Sequence, residues 1–175
     1  MCFYEIAVGQ LKQALSYCET CQQQLGYNNQ VSANDTSLKA LCMMARAIIE
    51  FNKGNFKASL ASLKQMITAN PKAPSDVWFA LSLCYQRLEQ YPKAKIGMKK
   101  VLELEPEHSM ALVCLGILEI KMNINDKETR MEAAKLFQRS FESNPRNVLT
   151  LKYLGEHFCL KGDHEVARNI ANAGL

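Results

Sequence analysis

The pair Cys18-x2-Cys21 is the arrangement in this chain closest to a chemical site, because two thiols at this spacing make half of a zinc site or a redox couple. A structural zinc takes four Cys or His ligands, and no second pair at suitable spacing accompanies this one. His108, His157 and His164 lie far along the sequence. A redox pair opens a helix beside a strand–helix–strand unit, whereas this pair falls inside an expected helix. Buried or idle thiols are the favoured reading, and a metal or redox protein built on Cys18 and Cys21 is the weaker alternative. No nucleophile–base arrangement, glycine-rich phosphate loop or His-Glu-x-x-His is present. Glu103, Glu105 and Glu107 close a helix and read as a solvated rim, and His157 beside Phe158 reads as an interior or groove residue rather than a base. The expectation is a chain with no catalytic residue, no metal, no cofactor and no small-molecule substrate.

Bulk composition agrees. The seven cysteines (2, 18, 21, 42, 84, 114 and 159) form an odd set without framework spacing, and most sit among apolar residues as small hydrophobes. The start, Met-Cys-Phe-Tyr-Glu-Ile-Ala, shows no basic region or cleavage site of a signal peptide, so a reducing compartment, cytosol or nucleus, is expected. Net charge is +4 over 175 residues, short of a nucleic-acid footprint. No apolar run approaches the roughly 20 residues of a membrane span. Apolar residues recur at three-to-four spacing without period-two alternation, so the fold class is all-α.

The elements that carry these residues repeat. Pro71, Pro106 and Pro145 each follow an apolar helical run, at intervals of 35 and 39 residues. Trp78, Leu81, Ser82, Tyr85, Ala94 and Pro106 match the tetratricopeptide pattern W-x2-L-G-x2-Y, then Ala, then Pro. A second copy has Leu112, Leu115, Gly116, Ala133, Phe137 and Pro145, and a third has Leu151, Leu154, Gly155, Phe158, Gly162 and Ala167. An earlier, weaker copy has Met43, Ala47, Gly54, Ser59, Leu63 and Pro71. The expectation is a right-handed tetratricopeptide-repeat (TPR) α-solenoid of antiparallel A and B helices. Its repeats fall at about 40–73, 75–108, 109–147 and a truncated 148–175, after a helix and loop over 1–37. The cut ends read as a fragment of a longer protein.

Small residues at the A–B crossings carry the physical content: Ala47 with Ser59, Ser82 with Ala94, Gly116 with Ala133, and Gly155 with Ala167. A larger group there strains the seam. The spacing predicts helices over 3–25, 38–53, 56–69, 75–89, 92–104, 109–122, 128–143, 148–161 and 164–174. Residues 26–37 read as a loop and 123–129 as a lengthened turn inside the third repeat. Trp78 and Tyr85 are expected in the core. Groove-facing positions of the A helices are expected at Met44 and Ile48, Phe79 and Leu83, Val113 and Ile117, and Lys152 and Glu156. Three of these four pairs are apolar, which suits a partner helix or extended segment with hydrophobic anchors. Lys93, Lys95, Lys99 and Lys100 gather on one B helix and read first as a solvated face. The alternative is a patch for an acidic protein, with RNA weaker because no aromatics interleave to stack bases.

Residues 40–74, "ALCMMARAIIEFNKGNFKASLASLKQMITANPKAP", 111–121, "ALVCLGILEIK", and 151–167, "LKYLGEHFCLKGDHEVA", resemble the TPR scaffold subunit of the RNA-polymerase-II-associated factor (PAF) complex. The likeness runs over about 38–172. It implies a nuclear, non-catalytic scaffold that holds PAF complex subunits and an RNA polymerase II assembly during elongation and its coupled histone modification; direct nucleic-acid and membrane binding are not expected from the charge and hydropathy above. A TPR adaptor of another nuclear or cytosolic assembly is the alternative.

Overall fold

The computed structural model describes residues 33–123 and 126–172, together with positions 13, 16, 17, 19, 20 and 23, which are helical. Most of the expected first helix, including Cys18 and Cys21, lies outside the described residues. The rest is α1 (Ala33–Asn52), α2 (Phe56–Ala69), α3 (Ser75–Arg87), α4 (Tyr91–Leu104), α5 (Ser109–Met122), α6 (Lys127–Ser143), α7 (Val148–Lys161) and α8 (His164–Asn172). No strand occurs among the described residues.

From α2 onward the expected helix boundaries agree with the structure to within two residues, except that the expected end at 174 lies outside the described residues. The larger difference is the start of α1, expected at 38 and found at Ala33. Its first turns are Ala-Asn-Asp-Thr-Ser, polar residues of the kind that suit a helix N-terminus and carry no apolar periodicity.

Two compact units divide the chain, Met1–Gln90 and Tyr91–Leu175, and the division falls inside the second expected repeat, between its A and B helices. In the first unit α1 packs on α2 and α2 on α3. Their core holds Ala47, Leu60, Leu63, Met66, Val77, Leu81 and Cys84, with Trp78 and Tyr85 half-buried against it. The expected Ala47–Ser59 crossing is tied by a hydrogen bond, the buried Ser59 hydroxyl donating to the Ala47 carbonyl at 2.7 Å. Neighbours in sequence also pack in the second unit, α4 with α5, α5 with α6, α6 with α7 and α7 with α8. Here Val113, Ile117, Ala133, Phe137, Leu154 and Ile170 form the core.

Two of the turns between repeats, at Asn70 and Asn144, share one local chemistry. Asn70 caps α2, its side-chain oxygen accepts from the Lys72 N–H at 3.1 Å, and its carbonyl accepts from the Ala73 N–H at 3.0 Å. Asn144 repeats this with the N–H groups of Arg146 (3.2 Å) and Asn147 (3.1 Å). The proline after each Asn has no N–H to extend the helix, so B helices stop where the prolines indicate. Asp126 and Asn147 then cap α6 and α7 through their side-chain oxygens.

Glycines behave unequally at the expected crossings. A Cβ on Gly116 would lie 2.6 Å from the Phe137 ring, so the close approach demanded of Gly116 is made by Phe137 rather than by Ala133. A Cβ on Gly155 meets no described atom within 4 Å, which corrects the expectation of a tight crossing there. Ser82 and Ala94 are both fully buried, as are Ala47 and Ala133 to within 1%.

Candidate partner-binding faces

Helix α3 shows how one element serves core and surface. Val77, Leu81 and Cys84 follow its buried side, and Phe79 and Leu83, one turn apart, are half-buried on another. On α1, Met44 and Ile48 are likewise half-buried, Met44 leaning on the core of its unit. Ile48, Phe79 and Leu83 stand outside that core cluster. These apolar side chains keep part of their surface exposed.

Helix α5 differs. Every residue from Ala111 to Leu118 is buried. Val113, at 0% exposure, and Ile117, at 8%, belong to the core of the second unit with Phe137 and Leu154. These two expected groove positions are therefore closed to a partner in this structure. The signal was in the sequence: "ALVCLGIL" is apolar on every side of a helix, the mark of a buried helix rather than an amphipathic one.

Lys152 and Glu156 are exposed on α7, 4.0 Å apart, and the Lys152 ammonium lies 5.3 Å from the centre of the Tyr153 ring. Tyr153 stacks on Phe137 at 5.4 Å. This pair offers a polar surface, and with both charges exposed it adds little to stability.

The lysine cluster on α4 is partly spent inside the fold. Lys95 bridges to Glu119 of α5 at 2.7 Å, and Lys100 pairs with Glu103 at 2.7 Å. Lys121 of α5 covers the Tyr91 ring at 5.6 Å. Between the lysines stands Ile96, 69% exposed, which sequence reading passed over. The sign of it was an aliphatic residue with lysines at i−3, i+3 and i+4.

Two of the buried thiols are held protonated. Burial pushes Cys114 up to about 11. Burial also raises Cys84, against the opposing hydrogen bond it shares with Ser59 at 3.3 Å. His108 caps α5, its Nδ1 accepting from the Ala111 N–H at 3.1 Å, and His157 packs edge-on against Phe158. Among the described residues no group of three or more His, Cys, Asp or Glu side chains is placed to hold a metal ion.

With this geometry in place, the chain can be set beside known proteins. The tetratricopeptide repeat family matches residues 75–108. The CTR9 homolog of Arabidopsis thaliana is 32% identical over 133 residues, 76% of this chain and 12% of that protein. "RNA polymerase-associated protein CTR9" of Caenorhabditis elegans is 28% identical over 153 residues, 87% of this chain and 13% of that protein. The protein of the same name in Saccharomyces cerevisiae is 24% identical over 146 residues, 79% of this chain and 14% of that protein. The chain thus spans 12–14% of the length of these relatives. Among solved structures, MamA superposes with a TM-score of 0.72 at 11% identity, covering 99% of this chain and 92% of that one. A tetratricopeptide repeat protein of Parabacteroides merdae ATCC 43184 gives 0.71 at 19% identity, covering 98% and 61%. YrrB, described as a TPR protein with an unusual peptide-binding site, gives 0.64 at 16%, covering 99% and 80%. The fold is all-α, of the tetratricopeptide-repeat solenoid class, and over most of its length the sequence is similar to a segment of the CTR9 proteins.

Proposed function

We propose that this CTR9-like chain of tetratricopeptide repeats is a non-catalytic segment of a nuclear interaction scaffold, working within a transcription elongation assembly of the PAF type on RNA polymerase II and its coupled histone modification. The observation that carries the reading is the set of apolar side chains that keep part of their surface exposed, Ile48 of α1 with Phe79 and Leu83 of α3. A partner segment laid against them removes its own apolar side chains from water, each worth about 1.5–3 kcal/mol before the cost of ordering the segment. The names of the animal and yeast relatives support the transcription setting, and the peptide-binding site in the name of YrrB supports segment recognition by this fold. Lys152 and Glu156 are proposed as a polar partner contact belonging to the second unit alone.

The test is recovery of partners from nuclear extract on the tagged chain, identified by mass spectrometry, with Ile48→Asp/Leu83→Asp beside the unaltered protein. Loss of the RNA polymerase II-associated proteins at unchanged helicity is the expected result. Undiminished recovery overturns this face as the binding surface, and a partner set unrelated to transcription overturns the assembly. Ile117 is unsuitable for such a test, because a charge placed in the second unit's core would unfold it.

A further inference from the structure

The exposed side of α7 is not the polar face of a solvated helix. Apart from Lys161 in its last turn, the exposed residues of α7 are Val148, Leu149, Lys152, Glu156, Cys159 and Leu160. Val148 is 76% exposed and Leu160 83%. Apolar groups thus stand at both ends of this side, with one base and one acid between them. Lys152 and Glu156 reach each other only at 4.0 Å, and with both side chains exposed their bond does little for the fold. Helical spacing sorts the side into two neighbouring rows. Val148, Lys152, Gly155 and Cys159 make one, at i, i+4, i+7 and i+11, and Leu149, Tyr153, Glu156 and Leu160 make the other at the same spacing.

The two rows complement one another in reverse order. A second copy of α7, laid antiparallel about a twofold axis through the middle of the helix, sets Val148 against Leu160, Lys152 against Glu156, Gly155 against Tyr153 and Cys159 against Leu149. Each contact occurs twice, as an isologous interface requires. Apolar meets apolar, base meets acid and small meets large. The four charges alternate in sign around the axis, so the Lys152–Glu156 bond within each helix is kept and joined by two between helices. Gly155 is an independent sign of the same arrangement. Glycine inside a helix is costly against alanine, and a Cβ there meets no described atom within 4 Å, so no close approach among the described residues calls for it. A second helix lying across it does. Tyr153, stacked on Phe137, keeps part of its surface exposed to fill the recess.

We infer that α7 is a self-association face, packing antiparallel on α7 of a second copy of this chain. The inference gives an occupant to the polar contact assigned above to Lys152 and Glu156, and it rests on that assignment. Charge complementarity selects both the occupant and its direction. One base and one acid favour neither a nucleic acid nor a strongly acidic or basic segment, whereas a second copy brings the matching acid, base and apolar ends at the matching places. Parallel packing would set Lys152 on Lys152 and Glu156 on Glu156, and like charges facing each other suppress that mode. One helix face is a small interface, so the association is weak and reversible.

The test is sedimentation equilibrium of the purified chain from about 10 μM to 1 mM. A mass that rises with concentration from one chain toward two is the expected result. Lys152→Glu and Glu156→Lys should each weaken self-association at least about tenfold. An equal mixture of the two variants should restore it, because each supplies the sign that the other lacks, and Lys152→Glu/Glu156→Lys in one chain should restore it as well. Leu160→Ser should weaken it severalfold. These three side chains are exposed, and circular dichroism checks that helix content is kept. Ile48→Asp/Leu83→Asp should self-associate as the unaltered chain does, so failure of the first unit's partner face leaves this result standing. A chain that stays single at the highest concentration, single variants that associate undiminished, or a mixture no better than its parts overturns the inference. If Lys152→Glu instead loses proteins recovered from nuclear extract while the unaltered chain stays single, the polar contact stands with another occupant and self-association falls.

Discussion

Two glycines in matching repeat positions have opposite worth. At Gly116 an added methyl would sit 2.6 Å from the Phe137 ring, which is 2% exposed and stacked on Tyr153, so the ring cannot yield cheaply. Gly116→Ala gains about 1 kcal/mol of helix propensity and loses about 1–3 kcal/mol to overpacking. The expected result is a lower urea midpoint. Gly155→Ala meets open space and keeps the propensity gain, so its midpoint should rise or hold. Asp126 gives a pH signature at the same scale. The Thr129 hydroxyl, then the Thr129 N–H, hold its carboxyl below the ordinary carboxylate range. A lowered value in the folded state means that the cap's contribution is present above the unfolded value and fades as pH falls through the folded one. Asp126→Asn keeps an acceptor but does not titrate, so the loss of stability between neutral pH and about pH 2 should be shallower in urea titrations.

Helices in the second unit are joined by a buried polar chain that no single-helix pattern displays. The Ser140 hydroxyl of α6 lies 2.7 Å from Thr150 of α7 and 2.8 Å from Ser109 of α5, and Asn147 donates to the Ser109 hydroxyl at 2.8 Å. Ser140 and Thr150 are both fully buried. Ser140→Ala leaves these groups short of a partner and should cost about 1–3 kcal/mol in chemical denaturation. A change within a few tenths of a kcal/mol would mean that the hydroxyls re-pair. Helix limits were legible because they are set locally: the Asn-Pro turns and side-chain caps act within a few residues. The start of α1 was not, since its first turn is polar and shows no period.

Burial across the whole molecule decides which thiols can react. Among the described cysteines Cys42, Cys84 and Cys114 are buried and Cys159 is exposed. Among these four, a thiol reagent near neutral pH should therefore label Cys159 before the others, with Cys84 and Cys114 slow because burial keeps them protonated; peptide mapping of the labelled sites checks the order. The all-α class, the repeat and the core roles of Leu81, Ser82 and Ala133 were determined by the sequence itself, because helical period, small residues and prolines act through near neighbours. Tertiary structure decided which A-helix positions stay open. Phe79 and Leu83 remain half-exposed, while Val113 and Ile117, at the same repeat positions, close into a core shared with α6, α7 and α8. Exposure depends on every element packed around a side chain, and residues far apart in sequence supply most of that packing.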